Sequence, residues 1–369
     1  MQLRTAIGSI GRIQQSGRIV LRVSTDEDDA SPPGLLQEAV FNVFRQPFWT
    51  AFNRDMQLVA QFERSNLCTL NRNAAPRDVV SVVRYTTRGE VNLALPAGTI
   101  LIDGLDAMAI ETNRLGAARA IDALKVAAYE VRYGIGGGFA AAPEPDDIDK
   151  DQTQLAPTDR AAINQIARRL KLTERTPEQA LNAVRSFFLT DFTYSTFLQT
   201  KSIMPESSPL AAFLLEHRTG HCEYFATATV HLLRAAGVPT RYAVGYAVQE
   251  KNGANQWIVR SRHAHAWALA WIDDRWQEVD NTPGNWNSIE EAQASFWEPV
   301  GDWFSGVWLS FNEWRQGDSK LRVYVFSIGI LVLGFMAWRQ VSGRRWRRSK
   351  TGNEAWQRRL VPGLDSDFY

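Results

Sequence analysis

The spacing of hydrophobic residues changes along the chain and divides it into a β-rich part and a helical part. Over residues 76–136, short stretches rich in Val, Ile, Tyr and Thr alternate with turns, which is typical of strands in a small sheet. The stretches are VVSVVRYTT, TILIDGL and YEVRYGIGGG. Residues 115–125, which lie between them, have a helix-like composition, so the pattern leaves the structure of this stretch open.

Helical spacing begins near residue 158. Thr158 and Asp159 are predicted to cap a first helix, because such side chains accept hydrogen bonds from the N–H groups at a helix start. The apolar residues of this helix share one face, namely Ile163, Ile166, Ala167 and Leu170. A second helix is predicted to start at Thr176-Pro177-Glu178, with proline in the first turn, where its missing N–H does no harm.

Between the two parts, residues 139–158 are rich in Ala, Pro and Asp and are predicted to be a linker. The run DIDKD at residues 147–151 suggests a calcium loop, but an EF-hand loop that begins at Asp147 needs Gly at position 152 and Glu at position 158. Gln152 and Thr158 occupy those positions. We therefore predict a solvated acidic linker.

The end of the chain carries a membrane signal. Residues 323–338, VYVFSIGILVLGFMAW, contain no formal charge, and residues 321–341 span a bilayer if the arginines at both ends reach the interfaces. A buried core helix is the alternative, but the dense basic run that follows favours the membrane by the positive-inside rule. The N-terminus has no apolar run that could direct the export of the residues before this helix. We therefore expect this chain to begin inside a longer membrane protein.

Composition limits the classes of function. Apolar residues make up 45% of the 369 and charged residues 22%, which fits packed globular structure and excludes a disordered chain. The 41 Lys and Arg nearly balance the 40 Asp and Glu, so there is no general basic field for nucleic acid. Cys68 and Cys222 match no zinc or disulfide spacing, and neither a Walker loop nor a dinucleotide fingerprint occurs. No cofactor, metal ion or nucleic-acid partner is therefore predicted.

Cys222 precedes an apolar helical run that ends near Gly237. A thiol in the first turn of a helix lies at the positive end of the helix dipole, which lowers the thiol pKa and populates the reactive thiolate. Gly220 allows a sharp backbone turn into this helix. A cysteine before a helix is also a common packing residue, so both interpretations stand at this point.

The stretch HAHAWALAWI alternates strictly, so the residues at its odd positions share one face: His263, His265, Trp267, Leu269 and Trp271. If Asp273-Asp274 forms a two-residue hairpin turn, Trp267 lies opposite Asp280. His265 and Asp280 are then diagonal neighbours on one face. About 7 Å separates their backbones, so their side chains are within reach of a hydrogen bond. A three-residue turn would place them on opposite faces. The alternative role of His265 is that of a polar strand residue, and the alternative role of Asp280 is to cap the turn that follows it.

Cys, His and Asp together can perform nucleophilic catalysis, since a thiolate attacks an acyl carbon, an imidazole transfers the proton and a carboxylate orients the imidazole. Four sequence blocks, in the right order, resemble the transglutaminase-like core of the papain-related fold. The blocks are GHCEYFA at 220–226, AGVPTRYAVGY at 236–246, HAW at 265–267 and WQEVDNTPG at 276–284.

This resemblance covers roughly residues 160–290, and the surrounding sequence is similar to bacterial membrane-anchored protein-glutamine gamma-glutamyltransferases without their usual N-terminal membrane helices. It implies that Cys222 is the nucleophile, His265 the base and Asp280 the residue that orients the base. The family histidine is followed by Ala-Trp, which selects His265 over His263. Two features depart from the family pattern: Asn281 stands where proline is usual, and His263 is an additional imidazole.

The resemblance implies an α+β fold: a papain-like core of helices packed on an antiparallel sheet, preceded by a small β-rich domain and followed by one transmembrane helix. The predicted domains are an N-terminal β-rich region 1–138, the linker 139–158, the catalytic core 159–290, a Trp-rich juxtamembrane segment 291–319, the transmembrane helix 321–341 and a basic cytoplasmic tail 342–369. The Trp-rich segment is predicted to be an amphipathic helix, placed either on the membrane surface or against the catalytic domain.

The implied function is acyl transfer from a protein glutamine to an amine through a thioester on Cys222. The catalytic domain is expected outside the cytoplasm, anchored in the inner membrane by the C-terminal helix. The expected partners are a glutamine-bearing protein or peptide, an amine acceptor and the membrane. With water as the acceptor, the same residues would make a peptidase or amidase. A third hypothesis is an idle scaffold that binds a peptide or cell-wall component, although an intact triad argues against it.

Overall fold

The computed structural model describes residues 4–8, 10, 17–26, 30–52, 55–61, 66–85, 89–148, 154–196, 208–253 and 255–286. The helices that lie wholly within these residues are α1 (Pro157–Arg169), α2 (Pro177–Asp191), α3 (Pro209–Ala212) and α4 (Cys222–Ala235). A π-helical turn, Phe213–His217, continues α3. The described residues are therefore mixed: these α-helices all lie after residue 156, whereas strands occur both before and after it.

The strands are numbered in chain order. They are β1 (Arg4–Ala6), β2 (Ile19–Ser24), β3 (Leu35–Phe41), β4 (Val43–Arg45), β5 (Phe48–Thr50), β6 (Gln57–Gln61), β7 (Cys68–Thr69), β8 (Asp78–Tyr85), β9 (Gly89–Asn92), β10 (Thr99–Asp103), β11 (Ala109–Thr112), β12 (Ala118–Ala123), β13 (Val126–Tyr133), β14 (Thr193–Tyr194), β15 (Thr219–Gly220), β16 (Thr240–Ala247), β17 (Glu250–Lys251), β18 (Gln256–Arg260), β19 (Ala264–Ile272) and β20 (Arg275–Val279).

Two sheets combine strands of the N-terminal region with strands of the catalytic core. In the four-stranded sheet, of order β20-β19-β16-β3, strand β3 is antiparallel to β16. In the seven-stranded sheet, of order β17-β18-β2-β8-β13-β10-β7, strand β18 pairs with β2. The other sheets have the orders β1-β5-β4, β6-β11-β12-β9 and β14-β15. The described parts of the N-terminal region and of the core therefore share backbone hydrogen bonds in the seven-stranded sheet and in the sheet that contains β19.

Helix α4 lies at the centre of the larger hydrophobic core. It is buried along nearly its whole length because apolar and small residues occupy most of its positions, and it contacts α1, α2, β16 and β19. N-terminal side chains complete the same core. Trp49 stacks on Tyr242 with ring centroids 4.9 Å apart, and its indole N–H donates to the hydroxyl of Thr227 on α4 at 3.0 Å.

Most of the local predictions are confirmed. The three predicted strands of residues 76–136 are β8, β10 and β13, and the stretch 115–125 contains strand β12, which pairs with β11 and β9. Helix α2 begins as predicted, because Thr176 caps it and Gln179 completes a capping box. The α+β class and the antiparallel sheet under a buried helix are also as predicted.

The predicted cap of α1 is wrong. This helix begins at Pro157, and its N-cap residue is Ala156, which has no side chain to accept a hydrogen bond. Asp159 is instead fully buried, and its Oδ1 accepts hydrogen bonds from the Ser208 hydroxyl and, at 3.1 Å, from the Ala211 N–H. Burial raises the pKa of this carboxyl. Its hydrogen bonds stabilise the start of α3 rather than the start of its own helix.

The predicted solvated linker is wrong at Asp147. This carboxylate is fully buried and forms a two-point ion pair with Arg241, at 2.7 Å from Nη2 and 3.0 Å from Nε. The guanidinium also lies 4.0 Å from the ring centre of Trp276. The indole N–H of Trp276 donates to the carbonyl of Ala141 at 2.9 Å. These contacts attach residues 141–147 to β16 and β20.

The predicted Trp-rich segment 291–319, transmembrane helix 321–341 and basic tail 342–369 lie outside the described residues. Within the part of the chain that is described, no helix combines the length and the apolar character that a membrane crossing needs. The membrane anchor therefore stays a prediction from the sequence.

We expect Asp147→Ala to lower the free energy of unfolding by about 3–5 kcal/mol, because it leaves the Arg241 guanidinium buried without its partner. Arg119→Ala is the control: Arg119 forms ion pairs with the more exposed Glu90 and with Glu111, and their loss should cost about 1 kcal/mol or less. Urea denaturation followed by circular dichroism measures both variants. Equal small losses would contradict a structural role for the buried pair.

Candidate active site

Cys222 is the first residue of α4, as predicted. The parallel strand pair of β14 and β15 leads the chain to this point, and the Ser195 N–H donates to the Gly220 carbonyl at 2.9 Å. A Cβ atom at Gly220 would lie 3.0 Å from the ring of Phe213, so the close packing before the helix leaves little room for a larger residue. The thiol is fully buried and lies at the positive end of the α4 dipole.

Two buried residues flank the thiol in the sequence. Oε2 of Glu223 accepts a hydrogen bond from the N–H of Gly8 at 2.8 Å and lies 3.5 Å from Nδ1 of His221. Burial lowers the pKa of His221 to about 4, so this contact is not an ion pair at neutral pH.

Burial also raises the pKa of Tyr242 well above its usual value, and the charges of Glu223 and Cys222 raise it further. Tyr242 is therefore a neutral phenol at neutral pH.

The hairpin that carries the other two candidate residues has the predicted register. Asp273-Asp274 forms a two-residue turn with φ angles of 52° and 57°, the left-handed conformation of a type I′ turn. Ala268 pairs with Val279 at the end of β20. Asp280 follows directly, and its side chain therefore lies on the same face of the sheet as His265, in the diagonal position.

His265 and Asp280 are hydrogen-bonded, as predicted. Nε2 of His265 lies 2.7 Å from Oδ2 of Asp280, and Oδ1 accepts a hydrogen bond from the Thr282 N–H at 2.9 Å. Burial alone raises the pKa of Asp280, but the charge of His265 and these hydrogen bonds outweigh it, so the pKa lies below its usual value. The carboxylate is therefore ionised at neutral pH, and it makes Nε2 the nitrogen that donates.

The other ring nitrogen of His265 is available for a thiol. Nδ1 is buried, and among the described residues it has no hydrogen-bond partner. Buried polar atoms rarely lack a hydrogen-bond partner, so the state of Nδ1 needs a physical reason. In a cysteine–histidine pair, a ring nitrogen without another partner is the atom that accepts the thiol proton.

A chain of contacts connects His265 with the start of α4. The ring of Trp286 lies 4.5 Å from the imidazole of His265 and 6.3 Å from the ring of Tyr194. Tyr194 pairs with Gly220 in the β14–β15 sheet, two residues before Cys222. The structure thus brings His265 and Asp280 into direct contact and links them through two aromatic rings to the segment that leads into Cys222.

The two departures from the family pattern have structural explanations. Nδ2 of Asn281 donates to the hydroxyl of Thr229 on α4 at 3.1 Å, a hydrogen bond that proline could not form. His263 ends a short 3₁₀ turn before β19 and does not continue the predicted strand face. Its Nδ1 accepts a hydrogen bond from the Arg260 N–H at 3.2 Å, and its Nε2 lies 3.8 Å from a carboxylate oxygen of Glu250.

Trp286 and Glu223 are not among the predicted site residues. Trp286 follows a turn in a stretch without periodicity, so no local pattern indicates that it contacts His265. Glu223 stands beside the candidate nucleophile, and that position is a signal, but its partner Gly8 is 215 residues away. Within the described ranges, no group of three or more His, Cys, Asp or Glu residues could hold a metal ion.

Residues 164–281 match the model of the transglutaminase-like superfamily. The helix with Cys222 at its start and the antiparallel hairpin that carries His265 and Asp280 both lie within this segment. These residues therefore form a transglutaminase-like core.

Particular relatives agree with this class. A stretch of 72 residues is 42% identical to a protein-glutamine gamma-glutamyltransferase of Pseudomonas aeruginosa, and 85 residues are 35% identical to the uncharacterized protein YebA of Bacillus subtilis. The matches cover 19% and 21% of this chain and only 11% of each relative. The solved periplasmic domain of TgpA from P. aeruginosa has a similar structure, and the alignment covers 79% of this chain and 96% of that domain. Its TM-score is 0.55 and its sequence identity is 19%. This last likeness shows a shared fold.

Asp280→Asn should change how stability depends on pH. Because the folded-state pKa of Asp280 lies below its unfolded value of 3.8, the ionised carboxylate stabilises the fold above that pH, and this stabilisation is lost as the pH falls through the folded-state pKa. The difference in unfolding free energy between wild type and variant should therefore be largest at neutral pH and shrink in acid.

Urea denaturation over a series of pH values measures this difference. Asp274→Asn, in the exposed turn of the same hairpin, is the control for the removal of a carboxylate from this element. A difference between wild type and Asp280→Asn that stays constant into the acid range would contradict the hydrogen-bonded, ionised Asp280.

Proposed function

We propose that this chain catalyses acyl transfer from a glutamine side chain to an amine, with Cys222 as nucleophile, His265 as acid and base, and Asp280 as the residue that orients the imidazole. The observation that carries the proposal is the 2.7 Å hydrogen bond between His265 and Asp280, in a core where Cys222 begins the central helix. The short stretch of identity with a protein-glutamine gamma-glutamyltransferase supports the same reaction.

In the first half of the reaction, the Cys222 thiol gives its proton to Nδ1 of His265, and the sulfur attacks the carboxamide carbon of glutamine. A C–S bond forms, the C–N bond breaks, and ammonia leaves with the proton that His265 held. In the second half, an amine attacks the thioester carbon, and His265 accepts a proton from its nitrogen. The C–S bond breaks, and the thiolate leaves as the new amide forms. Asp280 supports the imidazolium in both halves.

Access to Cys222 bears on the choice between transfer and hydrolysis. The thiol has no exposed surface, so the glutamine side chain reaches the sulfur only after the side chains that cover it move. Transfer then requires that the bound donor itself keep water away from the thioester until an amine reaches it. The backbone N–H of Cys222, at the start of α4, is the candidate donor to the developing oxyanion.

The proposal includes a location and partners. A glutamine-bearing protein or peptide is the acyl donor, and a primary amine such as a lysine side chain is the acceptor. The fold shared with the periplasmic domain of TgpA supports a catalytic core outside the cytoplasm. The uncharged apolar run at residues 323–338, with the basic run after it, supports an anchor formed by residues 321–341 in the inner membrane.

Product analysis tests the reaction. The full chain is supplied with a glutamine-bearing protein and a fluorescent primary amine, and amine incorporation and ammonia release are recorded together. We expect Cys222→Ala to lower both rates by about 10⁴-fold or more, since the nucleophile is lost. Cys68→Ala is the matched control and should keep wild-type rates, because burial raises the pKa of Cys68 to about 11 and leaves that thiol unreactive.

The other outcomes select the alternatives. Ammonia release without incorporation of the amine would contradict transfer and indicate a hydrolytic amidase that uses the same residues. Neither product, together with a Cys222 that resists iodoacetamide at about pH 6.5, would contradict an enzymatic function and leave the binding scaffold.

A further inference from the structure

Aromatic rings enclose the imidazole of His265. The indole of Trp286 stacks on it, with ring centroids 4.5 Å apart and 14° between the planes. The ring of Trp267, on the same strand, lies 6.3 Å away at 19°. Trp286 is 4% exposed and both Trp267 and His265 are fully buried. The polar contacts of the imidazole are therefore confined to its edge.

The edge of the imidazole presents two nitrogens. Nε2 is bonded to Asp280 at 2.7 Å, and Nδ1 has no hydrogen-bond partner among the described residues. One hydrogen bond at Nε2 still leaves the ring some freedom to tilt about the Cβ–Cγ bond of His265. The stacked indole restricts this tilt, because it holds the plane of the ring and thereby the direction in which Nδ1 points.

We propose that Trp286 is a positioning residue for His265: its indole holds the imidazole so that Nδ1 is presented to the Cys222 thiol, and its π face stabilises the imidazolium that forms when the thiol gives up its proton. The assignment of Nδ1 to the thiol rests on the proposed function. The stabilisation of the imidazolium rests on the stacking geometry alone.

The electrostatic part follows from the geometry. A cation within about 6 Å of the centre of an aromatic ring is attracted to the ring face, most strongly for tryptophan and more so away from water. The imidazolium of His265 meets both conditions over Trp286. Asp280 stabilises the same charge through Nε2, so the indole and the carboxylate act on the imidazolium from its face and from its edge.

The position of Trp286 in the fold supports the same role. The indole lies between His265 and Tyr194, whose ring is 6.3 Å from it. Tyr194 pairs with Gly220 immediately before the start of α4. Trp286 thus separates the hairpin that carries the base from the segment that leads to the nucleophile, and its thickness contributes to their spacing.

A histidine titration tests the proposal without relying on activity. The full chain is labelled with ¹³C-histidine, and the His265 resonance, assigned with His265→Gln, is followed against pH. We expect Trp286→Leu to lower the midpoint of the His265 titration by about 0.5 to 1 pH unit, because the imidazolium loses its stabilising ring. Trp286→Phe should lower it by less, since phenylalanine keeps an aromatic face.

Trp257→Leu is the matched control. Trp257 lies on β18, in the seven-stranded sheet, and its loss should leave the His265 midpoint unchanged. Thermal unfolding of each variant shows whether it is folded; if Trp286→Leu does not fold, Trp286→Phe decides the result. An unchanged midpoint in a folded Trp286 variant would overturn the proposal and leave Trp286 as a packing residue.

The pH profile of ammonia release adds the link to the reaction. The acid limb of the profile, where protonation of His265 removes the base that accepts the thiol proton, should move to lower pH in Trp286→Leu, whereas a packing defect would lower the rate without moving the limb. Glu278 is a second titrating group on this face, since burial and the charge of Asp280 raise its pKa to about 7. All variants are therefore compared in a Glu278→Gln background, which removes this second titration and leaves the Asp280 carboxylate on Nε2 of His265.

The histidine titration and the pH profile together distinguish a failure of the proposed function from a failure of the role proposed for Trp286. If wild type releases no ammonia from any glutamine donor, the proposed function fails, and the titration still decides whether Trp286 stabilises the imidazolium. If wild type is active and the acid limb stays in place in Trp286→Leu, the role of Trp286 in the reaction is overturned.

Discussion

The two-residue turn at Asp273-Asp274 is the constraint on which the candidate site depends. Side chains alternate along a strand, so one additional residue in this turn would move Asp280 to the opposite face of the sheet from His265. Both turn residues adopt left-handed φ angles of 52° and 57°, a conformation that aspartate tolerates better than most residues. Local turn chemistry thus determines a hydrogen bond between residues 15 positions apart.

The helix that presents Cys222 depends, in contrast, on contacts between distant parts of the chain. Trp49 from the N-terminal region packs against its core, Gly8 donates to Glu223 in its first turn, and strand β3 extends the sheet beneath it. The buried ion pair of Asp147 and Arg241 joins the intervening segment to the same sheet. Because these contacts join the two regions, we expect the N-terminal strands and the core to unfold together.

The sequence was sufficient wherever a few neighbouring residues determine the structure. The start of α2 at Thr176, the place of Cys222 in the first turn of α4 and the hairpin register follow from capping, periodicity and turn length. It was insufficient where partners are far apart in the chain. The composition of residues 139–158 is the same whether Asp147 is solvated or paired with Arg241, 94 positions away. Likewise, no repeat or motif indicates that Trp286 stacks on the imidazole.

The central claim is that Cys222 forms a thioester with the side-chain carbonyl of glutamine. The most direct test is mass spectrometry of the full chain after brief incubation with an N-blocked glutaminyl-glycine, without amine, and an acid quench. We expect the peptide containing Cys222 to gain the mass of the donor minus ammonia, and hydroxylamine to remove this mass. Turnover of the donor with no adduct on Cys222, or with an adduct on Cys68, would contradict it.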